Sequence, residues 1–166
     1  MKKKKGLIPS GGNDKVYTPD VLADKIVSFF HPYGQSVLEP CRGGGAFINA
    51  LAKNGVNAEW CEIDDGVDFF DYSGRVDWII TNPPYSIFRD FLIKSMEVAN
   101  NVVFLASINA FFFKARLRDI REHKFGFHTI IPVDTPKEWP SSGIQLGVVY
   151  IRKNYFGKVN LVYSGL

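Results

Sequence analysis

Val76-Asp77-Trp78-Ile79-Ile80-Thr81-Asn82-Pro83-Pro84-Tyr85 joins an apolar run to a rigid corner, and the reading of that junction decides the fold. Valine, tryptophan and two isoleucines give the first six residues the composition of a buried strand. The two prolines donate no backbone hydrogen bond and hold the chain extended, so the ladder ends there and the neighbouring carbonyls are left for a ligand. The Asn82 oxygen and the Pro83 carbonyl can accept hydrogen bonds from a planar amine while the Tyr85 ring lies against the heterocycle that carries it, which is an adenine-sized specification. Taken alone, the tetrapeptide is equally a plain strand terminator, and its context chooses between the two readings.

Upstream, Ser36-Val37-Leu38-Glu39-Pro40 reads as a short buried strand, followed by Cys41-Arg42-Gly43-Gly44-Gly45 and a helical run from Ala46 to Asn54. Strand, glycine turn and helix form the first half of a βαβ unit, with glycines where the chain turns sharply and its backbone comes close to a ligand. A second strand, Ala58 to Ile63, carries Glu62 near its end, about twenty residues after the glycines, where an acid accepts hydrogen bonds from a ribose diol in doubly wound folds. No GxxxxGK[ST] pattern is present, so the ligand expected is a nucleoside and not a gripped triphosphate.

Further out, Pro19 to Phe30 predicts a helix with Val21, Leu22, Ile26, Val27 and Phe30 on one face. Phe88 to Ala99 predicts an amphipathic helix, Val102 to Ala106 a buried strand, and Phe113 to His123 another helix. Phe125 to Val133 and Ile144 to Arg152 predict two strands joined by the loop 134–143, closing the sheet as an antiparallel pair, and the tail from Tyr155 to Tyr163 has room for a small edge strand. The expectation is one α/β domain over residues 1–166, with a mostly parallel sheet, an antiparallel C-terminal strand and no separate target-recognition domain.

At 166 residues and 46% hydrophobic content the chain suits a single core. The formal charge is only +3, but it is clustered in Lys2-Lys3-Lys4-Lys5 and in Lys114, Arg116, Arg118, Arg121 and Lys124. The first cluster reads as a flexible basic arm over residues 1–15, solvated or touching phosphates. Cys41 and Cys61 lack CxxC spacing and a neighbouring histidine, which predicts reduced, buried thiols without a metal or a disulfide. No run reaches the roughly 18 apolar residues of a membrane span, and no apolar signal core follows the basic start, so a cytoplasmic protein is expected.

These motifs together resemble the S-adenosylmethionine-dependent amino methyltransferases, specifically the DNA adenine N6-methyltransferases, over the stretch from Tyr17 to Arg152. Tyr17-Thr18-Pro19 is similar to the upstream motif that contacts the methionine end of the cofactor, Leu38 to Phe47 to the glycine motif, and Glu62-Ile63-Asp64 to the ribose-binding strand end. Asn82-Pro83-Pro84-Tyr85 is similar to the catalytic motif. The resemblance implies a Rossmann-like class I methyltransferase fold and S-adenosyl-L-methionine as cofactor, held by Tyr17, Thr18, Pro19, Glu39, Cys41, Gly43, Gly45, Phe47, Glu62, Ile63 and Asp68, with Asp71 a substitute for Asp68 on the cofactor's adenine. It also implies a nucleic-acid substrate, DNA before RNA, and places Trp139 beside Tyr85 as the second aromatic against the extruded base. Trp139 stands between Lys137, Glu138 and Pro140 in a polar loop, and so reads as exposed.

Two departures are visible. Arg42 stands where the family has a small residue, and is expected to point to solvent or to engage the cofactor carboxylate. The segment from Glu62 to Asp77 is too short for a helix and a full strand, so the sheet should be trimmed on the Glu62 side. The mechanism implied is direct in-line methyl transfer to an amine whose base is flipped out or single-stranded, with no cysteine nucleophile and no metal. RNA adenine methylation, protein glutamine methylation and a catalytically silent cofactor-binding subunit are the alternatives.

Overall fold

The structure is a computed structural model describing residues 16–140, 143–163 and 166; the basic arm expected over residues 1–15 lies outside them. Seven strands form one sheet: β1 (Val37–Glu39), β2 (Glu59–Trp60), β3 (Val76–Thr81), β4 (Ala99–Ser107), β5 (Phe125–Pro132), β6 (Leu146–Lys153) and β7 (Asn160–Leu161). Their order is β2-β1-β3-β4-β6-β5-β7. β1 pairs in parallel with β2 and β3, β3 with β4, and β5 with β7, whereas β6 runs antiparallel to both β4 and β5.

Alternation along the central strands explains why the sheet is buried on both sides. Trp78, Ile80, Val103, Leu105, Val148 and Tyr150 face α1 (Asp20–Phe30) and α2 (Ala46–Lys53), which contribute Leu22, Ala23, Ile26, Val27, Ala50 and Leu51. Ile79, Val102, Phe104, Val149 and Ile151 face the opposite layer, where α3 (Phe88–Val98) supplies Phe91, Leu92 and Met96. Phe104 sits in an aromatic cluster with Phe88, Phe91 and Phe111, at centroid separations of 5.8, 6.1 and 6.1 Å. Emptying such a site costs about 3–5 kcal/mol for Phe→Ala.

Several local expectations are corrected. Val21 is 68% exposed, because α1 buries the stripe Leu22, Ala23, Ile26 and Val27, and Val21 falls to its side. The strand expected to run to Ile63 keeps only Glu59 and Trp60. Beyond Cys61 the Glu62 side chain accepts from the Asp64 amide and starts a 3-10 turn over Ile63–Asp65, leaving an isolated bridge to Val67. Ala99 begins β4 instead of ending α3. A second 3-10 turn, Phe69–Asp71, completes the passage to β3. The sheet is thus trimmed beside Glu62, with the two-residue β2 as its edge.

Candidate active site

β1, β2 and β3 run parallel, so the residues after each strand gather along one edge: Glu39 to Gly45, Glu62 to Asp68, and Asn82 to Tyr85. A fourth segment, residues 16–19 ahead of α1, crosses this edge and touches two of the three groups.

Asn82 is half-buried, and its carboxamide orientation follows from its partners. Nδ2 donates to the Val16 carbonyl at 3.0 Å and to Thr18 Oγ1 at 3.3 Å, while Oδ1 accepts the Tyr85 hydroxyl at 3.2 Å. Both amide hydrogens are consumed on one side, which leaves Oδ1 as the group able to receive another donor. Pro83 is buried, and Pro84 and Tyr85 are half-buried, with Tyr85 opening a 3-10 turn that leads into α3.

The glycine turn is set by backbone angles. Gly43 and Gly45 have φ of 51° and 87°, which side-chain-bearing residues rarely adopt. A Cβ on Gly43 would also come within 3.3 Å of the Tyr17 ring, which lies over Gly43 and Gly44. The Gly43 amide donates to Glu62 Oε2 at 2.7 Å, and the Asp64 amide to Glu62 Oε1 at 3.2 Å, so the carboxylate at the end of β2 ties the turn in place. A carboxylate has about four acceptor positions, and two remain for other donors. Ile63 beside it is 56% exposed. Asp68 is half-buried and caps the turn that follows, accepting from the Phe70 amide at 2.9 Å, while Asp71 is exposed.

Beneath the turn, Glu39 is 1% exposed and accepts from the Cys41 amide at 3.0 Å. Burial pushes its carboxyl up to about 8, and the nearby charge of Glu62 adds to this. The Thr81 hydroxyl and the Cys41 amide act in the opposite direction. Thr81 Oγ1 is buried, and the Glu39 carboxyl is the polar group beside it. Thr81 was missed in the sequence, where the signal was a polar residue closing the apolar run Trp78-Ile79-Ile80.

Three residues differ from expectation in placement. Phe47 is 3% exposed and packs into the core on the α2 side, so its ring belongs to the core and not to the open edge. Cys41 is half-buried, although Cys61 is buried and its thiol is pushed up to about 11, by burial and then by Asp68, Glu59 and Glu39. Arg42 neither faces open solvent nor points along the glycine turn. It pairs with Asp65 and lies 4.0 Å over the Trp60 ring, contacts that hold it against the edge strand.

Trp139 is half-buried instead of exposed. Its ring packs against the core layer that holds α1, and its indole N–H donates to the Tyr17 carbonyl at 2.8 Å. The upstream segment is therefore clasped twice, by Asn82 through Val16 and Thr18 and by Trp139 through Tyr17. Pro19, also half-buried, N-caps α1 and fixes where the segment ends. Among the described residues no group of three or more histidine, cysteine or acidic side chains is placed to hold a metal, and no helix is long and apolar enough to cross a membrane.

No protein-family model and no curated protein sequence matches the chain. Solved structures do. A Listeria monocytogenes protein assigned to the class I S-adenosylmethionine-dependent methyltransferases superposes with a TM-score of 0.69 at 13% identity, covering 95% of this chain and 68% of that one. A Pyrococcus horikoshii protein assigned as an RNA methyltransferase gives 0.56 at 18% identity, covering 81% and 82%. The modification subunit of a protein assigned as a type I restriction enzyme from Vibrio vulnificus gives 0.62 at 17% identity, covering 91% of this chain and 46% of the subunit. With six parallel strands, one antiparallel strand and helices on both faces, the chain has the Rossmann-like class I methyltransferase fold.

Proposed function

We propose that the protein is an S-adenosylmethionine-dependent methyltransferase that modifies the exocyclic amine of adenine in DNA. The observation that carries this reading is the fixed carboxamide of Asn82. With Nδ2 spent on Val16 and Thr18, Oδ1 is held as an acceptor beside the Pro83 carbonyl at the end of β3.

The residues along the sheet edge fit the cofactor. The backbone of Gly43 to Gly45, with the Tyr17 ring over it, Thr18 and Pro19 following Tyr17, and Glu39 and Cys41 leading into it, suits the methionine end. The two free acceptor positions of Glu62 suit a ribose diol, and exposed Ile63 with Asp68 suits the adenine ring and its amine. When bound, S-adenosylmethionine supplies an electrophilic methyl group.

The protein's own part is orientation and electrostatics. An exocyclic amine is a poor nucleophile because its lone pair is delocalised into the ring. Hydrogen bonds to Asn82 Oδ1 and the Pro83 carbonyl draw it toward tetrahedral geometry and stabilise the positive charge that develops on nitrogen. Asn82 Oδ1 accepts one hydrogen bond from Tyr85 and has a second lone pair for the amine, and the Tyr85 ring is the aromatic that would stack on the base. Such stacking is worth about 1–3 kcal/mol, comparable with the few kcal/mol needed to extrude a base from a duplex. The fold is shared with structures assigned as the modification subunit of a type I restriction enzyme and as an RNA methyltransferase, which supports a nucleic-acid substrate.

Purified protein incubated with labelled cofactor and DNA, RNA or protein tests the reading. Label in adenine of DNA is the expected result. Label in RNA alone or in glutamine side chains moves the substrate, and absence of transfer with intact cofactor binding leaves a silent cofactor-binding subunit.

A further inference from the structure

β4 lies beside β3 in parallel, with Thr81 opposite Phe104, so the chain leaving β4 emerges on the same edge as Asn82. It forms a 3-10 turn, Ile108–Phe112, and then α4 (Lys114–Glu122). Three phenylalanines in a row meet different fates there. Phe111 is fully buried, whereas Phe112 is 47% and Phe113 63% exposed. Leaving a large apolar side chain in water forgoes most of the roughly 1.5–3 kcal/mol that burial gives, so two adjacent exposed rings are not accounted for by folding.

Both rings are braced. Phe112 stacks on Phe127 with centroids 5.1 Å apart and planes 7° from parallel. Phe113 lies 5.0 Å from the guanidinium carbon of Arg116, which is 4.8 Å from the Phe88 ring on its other contact and donates to the Ala110 carbonyl at 2.6 Å. Phe88 opens α3, directly after the turn that starts at Tyr85, so Arg116 ties this ridge to the Asn82 corner.

The exposed charge on α4 is mostly positive. Lys114, Arg118, Arg121 and Lys124 are exposed, and α4 has no acid in its first turn. Of its two carboxylates, Asp119 is occupied by Arg89 at 2.6 Å, and Glu122 faces Arg118 at 3.9 Å. Rigid exposed aromatics inside a basic field are what a single-stranded polynucleotide requires: a face for each base and cations along the phosphates.

We infer that the ridge formed by Phe112, Phe113 and the exposed cations of α4 is a docking surface for the single-stranded nucleic acid that flanks the target base. The inference rests on the proposed methyltransferase reading and names where its polymer substrate lies. Bases stack on Phe113, with Phe112 as the neighbouring step, and Lys114 and Arg118 meet the phosphates.

The test is a fluorescence-anisotropy titration of a labelled adenine-containing single-stranded oligonucleotide at several salt concentrations, beside calorimetry with S-adenosylhomocysteine. Phe113→Ala should weaken oligonucleotide binding about five- to 150-fold, the range that loss of one stacked base implies. The double variant Lys114→Ala/Arg118→Ala should lower the slope of log affinity against log salt by about 1.4, as for two lost phosphate contacts on a single strand. Melting temperature and cofactor affinity should stay at wild-type values in both. Wild-type oligonucleotide affinity in both variants overturns the ridge, as does failure of the wild-type protein to bind the oligonucleotide. A ridge variant that changes only the sedimentation of the protein makes the surface a protein interface and likewise overturns it. Failure of the wild-type protein to bind S-adenosylhomocysteine instead removes the methyltransferase reading, so the two failures are separable.

Discussion

The indole N–H of Trp139 donates to the carbonyl of Tyr17 at 2.8 Å, across 122 positions of sequence. The same Tyr17 covers the glycine turn with its ring, so the loop carrying Trp139 and the turn of Gly43 and Gly44 are linked through one residue. Trp139→Phe keeps an aromatic ring against the core, deletes the N–H and gives up part of the indole's packing surface. A net hydrogen bond is worth about 0.5–1.5 kcal/mol, so affinity for S-adenosylhomocysteine should fall about two- to tenfold, with a small drop in melting temperature from the trimmed ring. Calorimetry and a melting curve check this. Unchanged cofactor affinity together with a raised KM for DNA would instead place Trp139 on the base.

Asn82→Ala removes the acceptor and also releases Val16 and Thr18, so Tyr85→Phe is the cleaner probe of the corner. It deletes the hydroxyl that occupies Asn82 Oδ1 and retains the ring. Methyl transfer should survive Tyr85→Phe, and Asn82→Ala and Tyr85→Ala should both abolish it, with cofactor affinity within a few-fold of wild type for the Tyr85 variants. Turnover assays on the three variants decide; near wild-type rates for Asn82→Ala and Tyr85→Ala would remove the corner from the chemistry.

Glu62→Ala should weaken cofactor binding by about 1.5–3 kcal/mol, the scale of hydrogen bonds to a charged group. Because Glu62 also accepts from Gly43 and Asp64, the glycine turn should loosen in the same variant, seen as faster amide exchange at Gly43. Calorimetry showing unchanged affinity would shift the ribose contact to Asp64 or Asp65.

Glu39 makes stability depend on pH in a stated direction. Its carboxyl titrates near 8 in the folded chain, against an ordinary value of 4.5. Between those values the unfolded chain loses a proton that the folded chain keeps, so this contribution to stability is complete below pH 4.5 and is lost as pH rises through 8. The slope from this one group is at most about 1.4 kcal/mol per pH unit. Denaturant melts from pH 5 to 8 should show stability falling with pH, and Glu39→Gln, which stays neutral throughout, should flatten that decline. An identical pH profile in the variant would show that Glu39 is already ionised when folded.

Features carried by a few neighbouring residues were legible in the sequence. The β3 run and its Pro-Pro end, the glycine turn after β1 and the acid at the end of β2 announce themselves because proline, glycine and apolar alternation restrict the backbone wherever they stand. The short span from Glu62 to Asp77 likewise foretold the trimmed sheet edge. Only the tertiary structure decided which side of the Asn82 amide faces the site, since that depends on Val16 and Thr18 brought over from more than sixty positions away. It also decided that Arg42 is held by Asp65 and Trp60, that Trp139 clasps Tyr17, and that Phe111 is buried while Phe112 and Phe113 are not. The high pKa of Glu39 belongs to the same class, because desolvation is created by every group that surrounds the side chain and by none of its sequence neighbours alone. Local backbone restriction is written residue by residue, whereas burial and long-range partners exist only once the sheet has assembled.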